Sequence, residues 1–316
     1  GGTKGTFATA DASNYTLVVT AADDSTTALA VTADKSGFTD VAGNNMAANA
    51  DAASQAVDTK NPTVTITDNQ TGTADDAANA VTYAFTFSEG VTGFTTDDVT
   101  VTGGTKGTFT KTDATNYTLV VTATDDSTTS ISVAAGTTGV ADLNANAMTA
   151  GVTNNSQAVD TKNPTVTITD NQSGTASDSA NAVTYTFTFS EAVTGFTTDD
   201  VTVSGGTKGT FATTDASTYT LVVTATDDST TNISVAAGTT GVADLNANAL
   251  AAGVTNNSQA VDTKNPTVTI TDNQSGTADD AANAVTYSFA FSEAVTGFTA
   301  DDVTVTGGTK GTFTTT

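Results

Sequence analysis

Across residues 80–89 apolar and polar side chains alternate without a break. Val81, Tyr83, Phe85 and Phe87 are interleaved with Thr82, Ala84, Thr86 and Ser88. A period of two puts all four large residues on one face of an extended chain, so the segment predicts a strand with one buried side. The same alternation marks Val64 and Ile66, Val99 and Val101, Ile131 and Val133, and the trio Tyr117, Leu119 and Val121. Threonine fills most of the opposite positions, where its branched Cβ suits a pleated surface and its hydroxyl meets water. Turn-forming clusters separate the runs: Asp68-Asn69-Gln70-Thr71-Gly72, Gly103-Gly104-Thr105-Lys106-Gly107 and Asp113-Ala114-Thr115-Asn116. No segment carries a helical period.

Seven strands result, near 63–68, 80–88, 98–103, 107–112, 116–124, 129–135 and 155–160. The set recurs. GGTKGTF starts at Gly1, Gly103, Gly205 and Gly307, and KNPTVTITDNQ at Lys60, Lys162 and Lys264, a register of 102 residues with no insertion. Solenoid repeats are shorter, about 20–50 residues, whereas seven strands in about 100 residues predict an immunoglobulin-like sandwich. The expected fold is therefore all-β, tandem immunoglobulin-like β-sandwiches. Complete repeats are expected at 59–160 and 161–262. Partial domains flank them, 1–58 with the later strands and 263–316 with the earlier ones. Each half leaves core residues open, Leu17 and Val19 at one end and Phe289 and Phe291 at the other. Neighbouring copies, or continuation of the same polymer, are expected to complete them. Both termini fall at the same internal point of the repeat, which reads as a window cut from a longer array. Asn-Pro at 61–62, 163–164 and 265–266 marks each boundary and holds the linker extended, so adjacent domains should touch and form a rod.

Composition narrows the function classes. Cys, His and Trp are absent and all nine basic residues are Lys, against 34 acidic residues and a net charge of −25. Such a charge opposes phosphate backbones and anionic membranes, so nucleic acid is excluded as a partner. No apolar stretch approaches the roughly 18 residues of a membrane span. Without His or Cys, and with neither a G-x-S-x-G nor a P-loop pattern, no catalytic constellation is in view, and an enzyme is not expected.

Segments 160–170 (DTKNPTVTITD) and 187–203 (FTFSEAVTGFTTDDVTV) resemble the bacterial immunoglobulin-like repeats that build the stalks of very large surface adhesins and biofilm-associated proteins. The resemblance covers the whole chain. It implies extracellular placement at the bacterial surface, a tandem sandwich array, and calcium at or near domain junctions. The family's Asp-x-x-Gly-Asn turn stands at 40–44 (DVAGN), but at 142–146 and 244–248 it reads DLNAN. Loss of the glycine argues against an identical turn geometry there.

Acidic loops are the only candidate chemistry. Ca²⁺ takes six to eight oxygens from carboxylates, amides and backbone carbonyls. Sandwich topology predicts that a junction brings Asp75, Asp76, Asp125 and Asp126 of one repeat near Asp199, Asp200 and Asp244 of the next. Asp160 and Asn163 lie in the linker between them. These nine residues are the candidate calcium ligands; the bland reading of isolated acids is a solvated surface. Glu89, Glu191 and Glu293 are the only glutamates, one at the end of each second strand. A Lys–Asn isopeptide bond using Lys106 or Lys162 would need a buried triad, so exposed charges are the expectation for these residues. Alternating Thr is what any half-exposed strand carries, and an ice-binding reading loses to it. The reading is an adhesin extender, a calcium-stiffened rod supporting adhesion or biofilm formation. The alternative is a repeat that itself assembles into an extracellular filament, sheath or surface layer; Thr-rich polar faces favour the extender.

Overall fold

The alternating segments pair as antiparallel strands throughout the structure, a computed structural model that describes residues 1–48, 50–51, 54–280 and 283–315. Two units result: Gly1–Pro164 with Val242–Leu250, and Thr165–Gly241 with Ala251–Thr316. In the first, β1 (Gly2–Thr9) pairs with β2 (Tyr15–Ala21), and β3 (Thr32–Ala33) with β4 (Ala50–Asp51). A complete sandwich follows from β5 (Val64–Asp68), β6 (Ala80–Phe87), β7 (Val91–Thr92), β8 (Val99–Thr102), β9 (Gly104–Lys111), β10 (Asn116–Ala123), β11 (Ile131–Ala135), β12 (Ala141–Asp142) and β13 (Val152–Gln157).

One sheet runs β5-β6-β10-β9, the other β13-β11-β8, and β7 pairs with β12. This four-plus-three order is that of a constant-type immunoglobulin sandwich. All seven anticipated strands are present. The last begins at Val152, earlier than the pattern indicated, and beyond it Val159 makes a parallel bridge to Ala74. The two-residue strands β7 and β12 carry no readable period and were not anticipated.

Alternation decides the core. Val81, Tyr83, Phe85 and Phe87 of β6 are buried, as are Tyr117, Leu119 and Val121 of β10 and Ile131 and Val133 of β11. Phe94, in the loop after β7, lies 5.3 Å from Phe85, 4.9 Å from Phe87, 5.7 Å from Phe109 and 5.2 Å from Tyr117, centroid to centroid. Tilted and edge-on rings at these distances attract beyond the area they bury.

The second unit repeats the arrangement. Val166–Asp170, Ala182–Phe189, Thr218–Ala225 and Gly206–Thr213 make the four-stranded sheet, and Val201–Ser204, Ile233–Ala237 and Val254–Gln259 the three-stranded one. Register is conserved between the two: Tyr83 pairs with Leu119 as Tyr185 pairs with Leu221. Val268–Asp272 and Tyr287–Phe291 form a further two-stranded pair. Leu17, Val19, Phe289 and Phe291 are only half-buried, whereas their counterparts Leu119, Val121, Phe187 and Phe189 are buried.

Two turns explain repeated residues. Gly103 has φ of +74°, and a Cβ there would stand 2.2 Å from the Ser130 carbonyl oxygen, so the Gly-Gly of GGTKGTF serves a close backbone approach. The 142–146 turn overturns an expectation. It keeps the geometry of 40–44: Asp40 N–H donates to Asn44 O at 3.0 Å, and Asp142 N–H to Asn146 O at 3.0 Å. Gly43 has φ of +92°, and Ala145 and Ala247 take the left-handed region too, both at +69°. Asp142 Oδ1 accepts from the N–H groups of Asn144 and Asn146, each at 2.8 Å, and Asn146 Nδ2 donates to Asp142 Oδ2 at 2.8 Å. These bonds hold the turn against the cost of placing a Cβ there, about 1 kcal/mol. Ala145→Gly should therefore raise stability by about 1 kcal/mol, less the entropy glycine adds to the unfolded chain. Urea unfolding of the full chain checks it, and a lower midpoint would contradict the strain.

Candidate metal centre and repeat junction

The 142–146 turn also grips the linker before it. Asn144 Nδ2 donates to Asp58 Oδ2 at 2.7 Å, and Asn146 Nδ2 to the Asp58 carbonyl at 3.0 Å. β6 ends next to this point, and carboxylate oxygens of Asp58, Glu89 and Asp142 all lie within 4.8 Å of one another. Asp142 is buried; Asp58 and Glu89 are half-buried.

Environment separates the three acids. Burial pushes the Asp142 carboxyl up, but hydrogen bonds from Asn146, Asn144 and Ala145 outweigh it and hold the carboxyl below its usual range. Burial pushes Glu89 the other way, above its usual range, and the negative charges of Asp58 and Asp142 add to this while Lys60 opposes it. Glu89 Oε1 is buried and, among the described residues, has no hydrogen-bond partner. A folded-state value above the unfolded one means that ionised Glu89 costs stability, a cost present at neutral pH and relieved as pH falls through the raised value. An orphaned carboxylate oxygen facing two other carboxylates is the complement of a hard cation, and an all-oxygen donor set suits Ca²⁺ or Mg²⁺. The residues present therefore fit the cation that the family resemblance implied.

The linker at 160–164 is gripped in the same manner. Asn246 Nδ2 donates to Asp160 Oδ2 at 2.6 Å and Asn248 Nδ2 to the Asp160 carbonyl at 2.8 Å. Thr161, one residue on and fully buried, donates its hydroxyl to the Thr124 carbonyl at 2.7 Å, and its N–H to the Ser127 carbonyl at 2.9 Å. Consecutive residues are thus held from two directions, Asp160 by the 244–248 turn and Thr161 by the turn after β10.

A family model described as "Bacterial Ig-like domain" matches residues 58–159, 160–261 and 262–316. The chain belongs to that family. No curated protein matches it. Among solved structures, domains 5-6 of the S-layer protein SbsC are 16% identical, with 65% of this chain and 100% of that chain covered and a TM-score of 0.19. Among the described residues of this bacterial Ig-like chain, no helix is long and apolar enough to cross a membrane.

Of the nine candidate ligands, Asp76, Asp160, Asn163 and Asp244 meet in the first unit. Asp76 N–H donates to Asn248 Oδ1 at 2.9 Å, and Asn163 Nδ2 donates to Asp76 Oδ2 and to the Ala249 carbonyl, both at 2.9 Å. Asp75 turns inward on its own loop, its Oδ1 accepting from the N–H groups of Ala77 and Ala78. Asp125 and Asp126 sit in the turn after β10, where Asp126 has φ of +49°. In the second unit, Asp200 caps the short helix Thr198–Asp200, its Oδ2 accepting from Thr197 N–H and Oγ1, and Asp199 lies within that helix.

One expectation is corrected. Glu89 and Glu191 are half-buried, not exposed, because the end of the second strand is covered; Glu293 is exposed, as are Lys106 and Lys162. Lys106 Nζ donates to the Thr96 carbonyl at 2.8 Å, and with both lysines exposed neither amine stands in the buried triad that an isopeptide bond needs. Glu89, Asp58 and Asp142 were missed as a set. The signal was available: glutamate occurs three times in the chain, at one strand position, against many aspartates in loops. Asp142→Asn sets an amide nitrogen against the Asn146 amide and removes the charge. It should cost about 1–3 kcal/mol, read as a lower urea midpoint in chelator.

Proposed function

We propose that this chain is a non-catalytic extender, a stalk segment of a large bacterial surface adhesin placed outside the cell and stiffened by calcium, and that it supports adhesion or biofilm formation. The observation that carries the reading is the linker, where adjacent residues Asp160 and Thr161 are held by different turns. A spacer needs neighbouring domains that transmit force and orientation, and a clamped linker removes the slack that a free one would have. Membership in the bacterial Ig-like family supports the same role. The partners are neighbouring repeats or copies of the chain, which would cover the half-buried core residues of the end strands.

Asp58, Glu89 and Asp142 would hold the cation, which supplies positive charge to three crowded carboxylates. Asn144 and Asn146 fix Asp58 and Asp142 in place, so the turn is ordered before any ion arrives. Sites of extracellular modules bind calcium with Kd of about 10⁻⁴–10⁻³ M. At tenfold excess over Kd, one site adds about 1.4 kcal/mol to folding.

Melting temperature and scattering-derived length should both rise in millimolar calcium, compared with sodium at equal ionic strength or with chelator. Glu89→Gln combined with its sequence counterpart Glu191→Gln should raise the melting temperature in chelator, since a buried charge is gone, and abolish the calcium increment. Equal behaviour in calcium and sodium would remove the cation from the proposal.

A further inference from the structure

The asparagines around Asp76 and Asp160 form a contact built from side-chain amides. Asn248 is fully buried and spends its whole amide: Nδ2 donates to the Asp160 carbonyl and to Asp244 Oδ2, and Oδ1 accepts the N–H of Asp76. Asn163 spends both of its amide hydrogens across the same gap, one on Asp76 Oδ2 and one on the Ala249 carbonyl. Three stretches of chain are thereby tied together, the loop after β5, the linker, and the 244–249 turn. The carboxylates of Asp76, Asp160 and Asp244 each accept an amide N–H, which offsets their repulsion without a cation.

The equivalent turn one repeat earlier provides a comparison. Asn146 makes the same two donations, to the Asp58 carbonyl and to Asp142 Oδ2, yet it is only half-buried where Asn248 is fully buried. At Asn248 the loop carrying Asp75 and Asp76 is in contact, its Asp76 N–H donating to Oδ1 at 2.9 Å. That loop is stiff in its own right, because Asp75 Oδ1 ties down the Ala77 and Ala78 N–H groups and so presents the Asp76 N–H outward.

We propose that the 244–248 turn, together with Asn163, is a docking surface for the Asp75–Asp76 loop of the preceding repeat, and that this amide-built contact joins repeats whether or not a cation is bound. The partner is specific. It must offer a backbone N–H and, on the same residue, a carboxylate for Asn163, so an aspartate at the second loop position is required. Asp178 and Asp280 hold that position in the later copies. The contact does not rest on the Asp58, Glu89 and Asp142 cluster, and failure of calcium binding there leaves it untouched.

Amide hydrogen exchange of the full chain in chelator reads the contact directly. The Asp76 N–H should exchange about tenfold or more slowly in the wild-type chain than in the Asn248→Ala variant. Added calcium should leave the ratio unchanged. Asn248→Ala should remove the protection of the Asp76 N–H while the Ala78 N–H, bonded within its own loop, keeps its own; Asn163→Ala should give an intermediate rate. An Asp76 rate that Asn248→Ala leaves unchanged would overturn the proposal. Protection that forms only in calcium would overturn it as well, since the contact would then be a consequence of the ion.

Discussion

With no cysteine in the chain, the two sheets of each sandwich depend on apolar contact between their inner faces. Phe94 concentrates that dependence. It sits in a loop, touches rings from β6, β9 and β10, and is matched in the second unit by Phe196 against Phe187, Phe189, Phe211 and Tyr219. Filling such a site with one large ring gives a core of few, well-oriented contacts, which suits a chain only 6% aromatic. The end of the sandwich is positioned from there: β6 leads from this core toward Glu89, and β7 pairs with β12, which carries Asp142 opposite Val91.

Asparagine is the chemical counterpart of that core. An acidic surface with few lysines cannot neutralise its carboxylates by ion pairing, and this chain answers with side-chain amides. Asp40, Asp113, Asp142 and Asp244 each accept from an asparagine Nδ2 within a turn, and Asp58 and Asp160 from one across a junction. For Asp113 the asparagine and threonine donors draw the carboxyl down to about 2. Glu89 lies outside this scheme, which is why its burial asks for a different partner. Net charge alone therefore misjudges the junction: acids at close quarters there are for the most part already satisfied.

Strand order and core were legible in the sequence because period two states which side chains share a face, and the 102-residue register states it more than once. The junction was legible only in outline. Asp76, Asp160, Asn163 and Asp244 could be placed together from topology, but the role of Asn246 and Asn248 could not, since asparagine in a turn reads as a backbone device. Asp199 and Asp200 sit in the Asp-Asp pair that ends a three-residue helix, and a helix of that length leaves no period to read. The retained turn at 142–146 was misjudged for a plain reason: three aspartate-anchored hydrogen bonds outweigh the modest strain of one alanine.

Identical register in the two sandwiches has a consequence for how the chain folds. Tyr83 opposes Leu119 and Tyr185 opposes Leu221, and every other pair of the ladder is offset by the same 102 residues. A nascent β6 therefore meets two partners, its own β10 and the matching strand 102 residues further on, that it would fit equally well. Selection between them falls to chain entropy, because the nearer strand closes a loop of about 30 residues and the farther one a loop of about 130, a difference of roughly 1 kcal/mol. That margin is thin. Order of emergence during synthesis, which lets one sandwich close before the next exists, supplies the discrimination that the amino-acid pattern lacks.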